Sequence, residues 1–201
     1  MLSFSQPSDK QVRQFLARAA DSHYTYAEVG ATRQSPPPGF KVDHNWLRLG
    51  SGSQTWARAV AALQNWEMFN LQWVRLYWPT TSIVPNQNVA VVAHAMGCYW
   101  LNACRIVYVM EEDGPVRRFG FAYGTLRDHA ESGEERFLVE WNRESDDVWY
   151  ELLAFSRPQH WLARVGYASA RRLQKRFAGE SKAAMMRAVA GLESGKRVAN
   201  G

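Results

Sequence analysis

His129, Glu134 and Glu135 lie close together in the stretch FGFAYGTLRDHAESGEERF, Phe119–Phe137. A histidine titrates near neutrality, and with a carboxylate in reach it could move a proton or hold a polar ligand. If a strand has begun by Glu134, the two glutamates point to opposite sides, one to a cavity and the other to water. Just upstream, Phe119, Phe121, Tyr123 and Thr125 alternate with Gly120, Ala122 and Gly124. A face that small admits another segment of chain or lets a sheet bend sharply. On the aromatic face, Phe119 and Phe121 read as core, whereas Tyr123 and Thr125, nearer the strand end, read as lining an opening. LRDHAESGEE then serves as a connection of about ten residues, long for a hairpin, with His129 over the cavity mouth. The competing reading is a polar hairpin tip kept soluble by its acids.

A second polar pair is expected between Arg105 and Glu151. Arg105 shares a strand face with Ala103, Val107 and Val109, and Glu151 with Trp149, Leu153 and Phe155. A lone charge in such company costs several kcal/mol, so pairing is expected if both are inside. An internal ion pair could orient a polar head while aromatics hold an apolar body; Trp73, Tyr108, Tyr123 and Trp149 are the lining candidates. Other chemistry finds little support. The H-x3-C-x5-C spacing of His94, Cys98 and Cys104 fits no common zinc site, and no nucleophile elbow or phosphate loop is present. No metal and no cofactor are expected.

The elements that must position these residues follow from periodicity. Ser8 with Gln11 forms a capping box for a helix from Asp9 to about Ala20. SPPPG is a loop, Phe40–Leu49 a strand, and Ser53 is expected to cap a helix carrying Trp56, Val60 and Leu63 on one stripe. From Leu71 the period becomes two, with strands at Trp73–Trp78, Asn88–Met96, Asn102–Glu111, Arg117–Thr125, Glu135–Trp141 and Val148–Phe155. Helical spacing returns from Gln159 to about Ala190, with Leu162, Val165, Leu173 and Phe177 inward and Arg171, Arg172, Lys175 and Arg176 outward. The fold class is therefore α+β, a curled antiparallel sheet of about six to seven strands wrapped around a long C-terminal helix. Residues 1–190 form a single domain, and 191–201 a flexible tail. This order resembles the helix-grip architecture of START lipid-transfer domains, polyketide cyclases and Bet v 1-like allergens.

A more specific resemblance runs through ALQNW at Ala62–Trp66, Trp73, Tyr123–Leu126, His129, Gly133–Glu135 and Phe137. It continues through Val148–Glu151, Ala154–Pro158, Gln174, Phe177 and Ala178. On these residues the chain resembles uncharacterised protein family 0548 (UPF0548, the DUF1990 domain), which has no established general activity. Arg127-Asp128 stands where that family usually has Pro-Gly.

Composition bounds the function classes. At 201 residues, 46% of them hydrophobic and nine of them Trp, the chain can bury a core without staples. Two cysteines, and a first thirty residues with no apolar run behind a basic start, predict a cytoplasmic protein without a secretory leader. Ten Lys or Arg stand against three Glu from Glu151 onward, a local surplus larger than the net +5 of the whole chain. That is either a solvated helix face or a peripheral contact with an anionic membrane surface. Nucleic acid is a poor fit, because the basic residues lack interleaved exposed aromatics. The leading expectation is binding of a small hydrophobic or amphipathic molecule in an internal cavity formed by Trp73, Arg105, Tyr108, Tyr123, Thr125, His129, Glu134, Trp149 and Glu151. The alternatives are an enzyme using His129 with Glu134 or Glu135 for proton transfer, and a membrane-associated or pore-forming protein.

Overall fold

A computed structural model of the protein describes residues 1–159 and 167–191. The elements run β1 (Leu2–Ser3), α1 (Asp9–Ala19), β2 (Lys41–Ser51), α2 (Gly52–Gln64), β3 (Val74–Tyr77), β4 (Asn88–Ala95) and β5 (Cys98–Glu112). They continue through β6 (Val116–Thr125), β7 (Glu131–Asn142), β8 (Asp147–Pro158) and α3 (Tyr167–Ala190), with short 3-10 turns at Ala31–Arg33 and Glu67–Phe69. The strands form one antiparallel sheet in the order β2-β8-β7-β6-β5-β4-β3, and β1 pairs with β5 beyond the end of β6. From β3 to β8 every strand pairs with its successor, so consecutive hairpins build most of the sheet.

Local chemistry explains the joints. Ser8 and Gln11 make the expected reciprocal cap on α1. The β4–β5 turn needs only Met96 and Gly97, both at positive φ, the geometry of a tight hairpin whose twist suits its strands. β5 therefore begins earlier than periodicity predicts. The N-cap of α2 is Ser51, without a side-chain hydrogen bond, and not the expected Ser53. The expected inward positions Leu162 and Val165, and nearly all of the tail, lie outside the described residues.

Alternation divides the side chains between two covered faces. On the inner face Phe121, Phe137, Val139, Tyr150 and Leu152 pack with Trp56 and Leu63 of α2, Met68 and Phe69 of the second 3-10 turn, and Met185 of α3. The Phe69 ring meets Phe137 and Phe177 at centroid distances of 5.5 and 5.3 Å, tying strand, turn and last helix together. On the outer face, Val12, Phe15 and Ala19 of α1 cover Ala90, Val92, Leu101 and Ala103. The sheet is thus covered by more than the last helix, because the chain before β2 makes a second layer. The small face of β6 is where that layer comes closest. A Cβ at Gly124 would fall 2.1 Å from the Tyr26 hydroxyl, so no larger residue fits beneath the ring.

Candidate functional site

Register places four inner-face residues of four strands in one row: Asp43 opposite Ala154, Ala154 opposite Glu135, and Glu135 opposite Tyr123. β7 begins at Glu131, so Gly133, Glu134 and Glu135 belong to the strand, and the connection after β6 is Leu126–Ala130. The Tyr123 hydroxyl donates to Glu135 Oε2 at 2.5 Å. Burial raises the Glu135 carboxyl to about 7, the Tyr123 hydrogen bond acting the other way. Burial likewise drives the Tyr123 hydroxyl well above its ordinary range.

The last helix adds a polar seam beside this pair. Arg171 forms a two-pronged ion pair with Asp43 and also donates to Gln174 Oε1. Gln174 Nε2 donates to Glu131 and, at 3.1 Å, to Ser156 Oγ. Arg171 is therefore turned toward the sheet and not outward; Arg172, Lys175 and Arg176 are exposed. Asp43, Leu47, Ala154 and Glu135 on the sheet and Leu173, Gln174 and Phe177 on the helix are all half-buried. They bring half-buried apolar side chains and a carboxyl together where the last helix faces the sheet.

Other expected site residues go elsewhere. Glu134, on the outer face, is buried and accepts from Tyr26 Oη at 2.8 Å, Gly30 N at 2.7 Å, Thr32 N at 3.0 Å and the Thr32 hydroxyl. It fastens the 24–33 segment to the sheet and keeps no free side toward a ligand. Arg105 does not pair with Glu151. A register shift between Ile106 and Tyr108 turns it to the outer face, where it donates to Asn88 and to the carbonyls of Ala19 and Ala20 at the end of α1. There it caps the helix and meets the negative end of its dipole. Glu151 is buried with Arg136 at 2.5 Å and His44 at 2.8 Å. Tyr108 hydrogen-bonds Thr32 beneath the Arg33 guanidinium. Trp149 faces out beside Trp46, lining a shallow pocket. None of these five faces the Tyr123–Glu135 pair.

The three remaining expected residues also have other partners. Trp73 packs against the inner core, donates to Glu180 of α3 at 2.7 Å and carries Arg176 over its ring. The Thr125 hydroxyl joins Thr25 to the Gly133 backbone where β6 ends. His129 accepts from the Glu131 N–H through Nδ1 at 3.0 Å and pairs with neither Glu134 nor Glu135. Burial lowers its pKa to about 4, opposite to the rise that a carboxylate partner would bring. It does line a pocket, of about 640 Å³, but one between α1, β5 and the β6–β7 loop.

Sequence reasoning missed Asp43, Glu131, Ser156, Arg171 and Gln174 as site residues. Their partners lie up to 128 positions away, beyond any local pattern. The available signal was that Ser156 and Gln174, like Tyr123 and Glu135, are among the residues carrying the family resemblance.

Comparison with known proteins gives the following. A family model described as a domain of unknown function, DUF1990, matches residues 25–184. A UPF0548 protein of Dictyostelium discoideum is 35% identical over 94% of this chain and 96% of its own length. A UPF0548 protein of Arabidopsis thaliana is 29% identical over 94% and 97%. Among solved structures, human STARD10 aligns with 92% of this chain and 82% of its own at a TM-score of 0.48 and 10% identity. A likeness at that level says nothing of what this chain binds.

Proposed function

We propose that this chain, which belongs to the DUF1990 family, binds a small amphipathic molecule at the Tyr123–Glu135 pair, where the inner face of the sheet meets the last helix. The observation that carries the reading is the Tyr123–Glu135 pair, a half-buried carboxyl among apolar side chains. Such a group engages a hydroxyl, amine or amide, while the half-buried Leu47, Leu173 and Phe177 accept an apolar body. Glu135 has one hydrogen-bond partner among the described residues, so it keeps acceptor capacity for a ligand.

The test is native mass spectrometry of gently purified protein, comparing the wild type with Glu135→Gln and Tyr123→Phe. The expected result is a retained small molecule in the wild type that is depleted in both variants. A bare protein, or identical retention in all three, overturns the reading.

Proton transfer is the second reading, and the carboxyl held at about 7 favours it, since a general acid–base works best near the ambient pH. The groups would be Glu135 and Tyr123, with His129 taking no part.

A further inference from the structure

The pocket beside His129 is separate from the Tyr123–Glu135 site and its polar atoms are of an unusual kind. Leu2, Phe15 and Trp100 give it an apolar wall, and Arg18, Arg127 and His129 stand around it. The Trp100 indole N–H is buried with no hydrogen-bond partner, which costs free energy unless something fills it. His129 accepts through Nδ1, so its neutral ring carries the proton on Nε2, and that donor makes no hydrogen bond among the described residues. Arg18 and Arg127 are exposed, and no ion pair involves either among the described residues. Of the remaining polar lining, Ser22 offers a hydroxyl, and the Met1 ammonium donates to the Leu101 and Asp128 carbonyls. Asn102 uses its amide on the Trp100 carbonyl and the Ala130 N–H, fastening the loop. Asp128 is the one carboxylate, exposed on the β6–β7 loop.

Free donors around an apolar wall, two of them guanidinium groups, call for an acceptor-rich partner with an apolar body. We propose that this pocket is a second binding site, for a small organic anion whose carboxylate or similar head meets Arg18, Arg127 and the His129 N–H while its apolar part lies on Phe15 and Trp100. Guanidinium forks match such heads in pairs of hydrogen bonds. This second site does not depend on ligand binding at the Tyr123–Glu135 pair, since no residue of that pair lines the pocket.

The test is an NMR titration of isotope-labelled protein that follows the Trp100 indole and His129 imidazole resonances, the former assigned with Trp100→Phe. Benzoate and octanoate are the probes, with benzamide and inorganic phosphate as separate arms. A saturable shift with at least one organic anion is expected, weakened about ten-fold or more in Arg18→Gln/Arg127→Gln, a loss of ~1.4 kcal/mol. Glu135→Gln should bind the same probe unchanged. Benzamide binding as tightly overturns the anionic half of the proposal, and phosphate binding as tightly overturns the apolar half. No saturable shift with either organic anion overturns the whole.

Discussion

Glu134 accepts four hydrogen bonds on the outer face of β7, whereas Glu135, its neighbour in sequence, accepts one on the inner face. The donors on Glu134 come from a segment more than a hundred residues earlier, and they leave its carboxylate saturated. Glu135 is raised toward neutrality because burial outweighs its one donor. The same side chain thus does two jobs, decided by how many donors surround it. Saturation makes a fastener, and incomplete solvation makes a group available for binding or chemistry.

The largest test of that contrast is Glu134→Ala. It strands the Gly30 and Thr32 N–H groups and the Tyr26 and Thr32 hydroxyls, and should cost ~3–5 kcal/mol in urea melts, at ~1–3 kcal/mol per buried unsatisfied group with partial relaxation. Glu135→Gln should stay within about 1 kcal/mol at neutral pH. Equal losses would erase the distinction between the two carboxylates.

The next test uses pH. Glu135 has a raised folded pKa, so its contribution is fully present below its ordinary 4.5 and is lost as pH rises to about 7. His129 has a lowered folded pKa, so its contribution is present above 6.5 and is lost as pH falls to about 4. The two slopes oppose each other across the same window, each worth about 1–3 kcal/mol after allowance for partial exposure. Stability of the wild type between those limits should therefore be flatter than that of either single variant. Glu135→Gln should fall off on the acid side, and His129→Phe on the neutral side. Parallel curves for all three proteins would show that neither group is perturbed.

Smaller effects belong to the layer edges. Arg105→Gln should cost ~1–2 kcal/mol through the lost cap on α1, read by thermal melting. Arg172→Gln with Lys175→Gln, both exposed on α3, should change stability by less than about 0.5 kcal/mol. Flotation with anionic vesicles then separates a membrane-facing helix from a merely solvated one: lost binding in that variant supports the first, and unchanged binding removes it.

The sheet was legible because its information is local. Phe119, Phe121 and Tyr123 alternate with glycines and alanine, and period two says strand whatever the partner. The family signature likewise named Tyr123, Glu135, Ser156 and Gln174 without saying that they meet. What failed depended on distant pairing. Gly133 and Glu134 looked like part of the connection before a strand at Glu135, because acids usually seek water, and their strand character comes from pairing with β6 and β8. Arg105 looked like a core cation because one inserted residue near Val107, invisible to periodicity, reverses its face. No helix among the described residues is long and apolar enough to cross a membrane, and that says nothing of spanning by strands.

The fastening of residues 24–33 onto Glu134 also has a kinetic side. β3 to β8 can zip up by successive neighbours, each closing a short loop, whereas the Thr32–Glu134 contacts close one of 102 residues. Loop closure of that size costs entropy that is recovered only once the sheet already presents its outer face. The outer strap is therefore expected to dock after the folding barrier. Glu134→Ala should leave the folding arm of a chevron nearly unmoved and steepen escape from the native state, making that carboxylate a determinant of the protein's lifetime more than of its speed of formation.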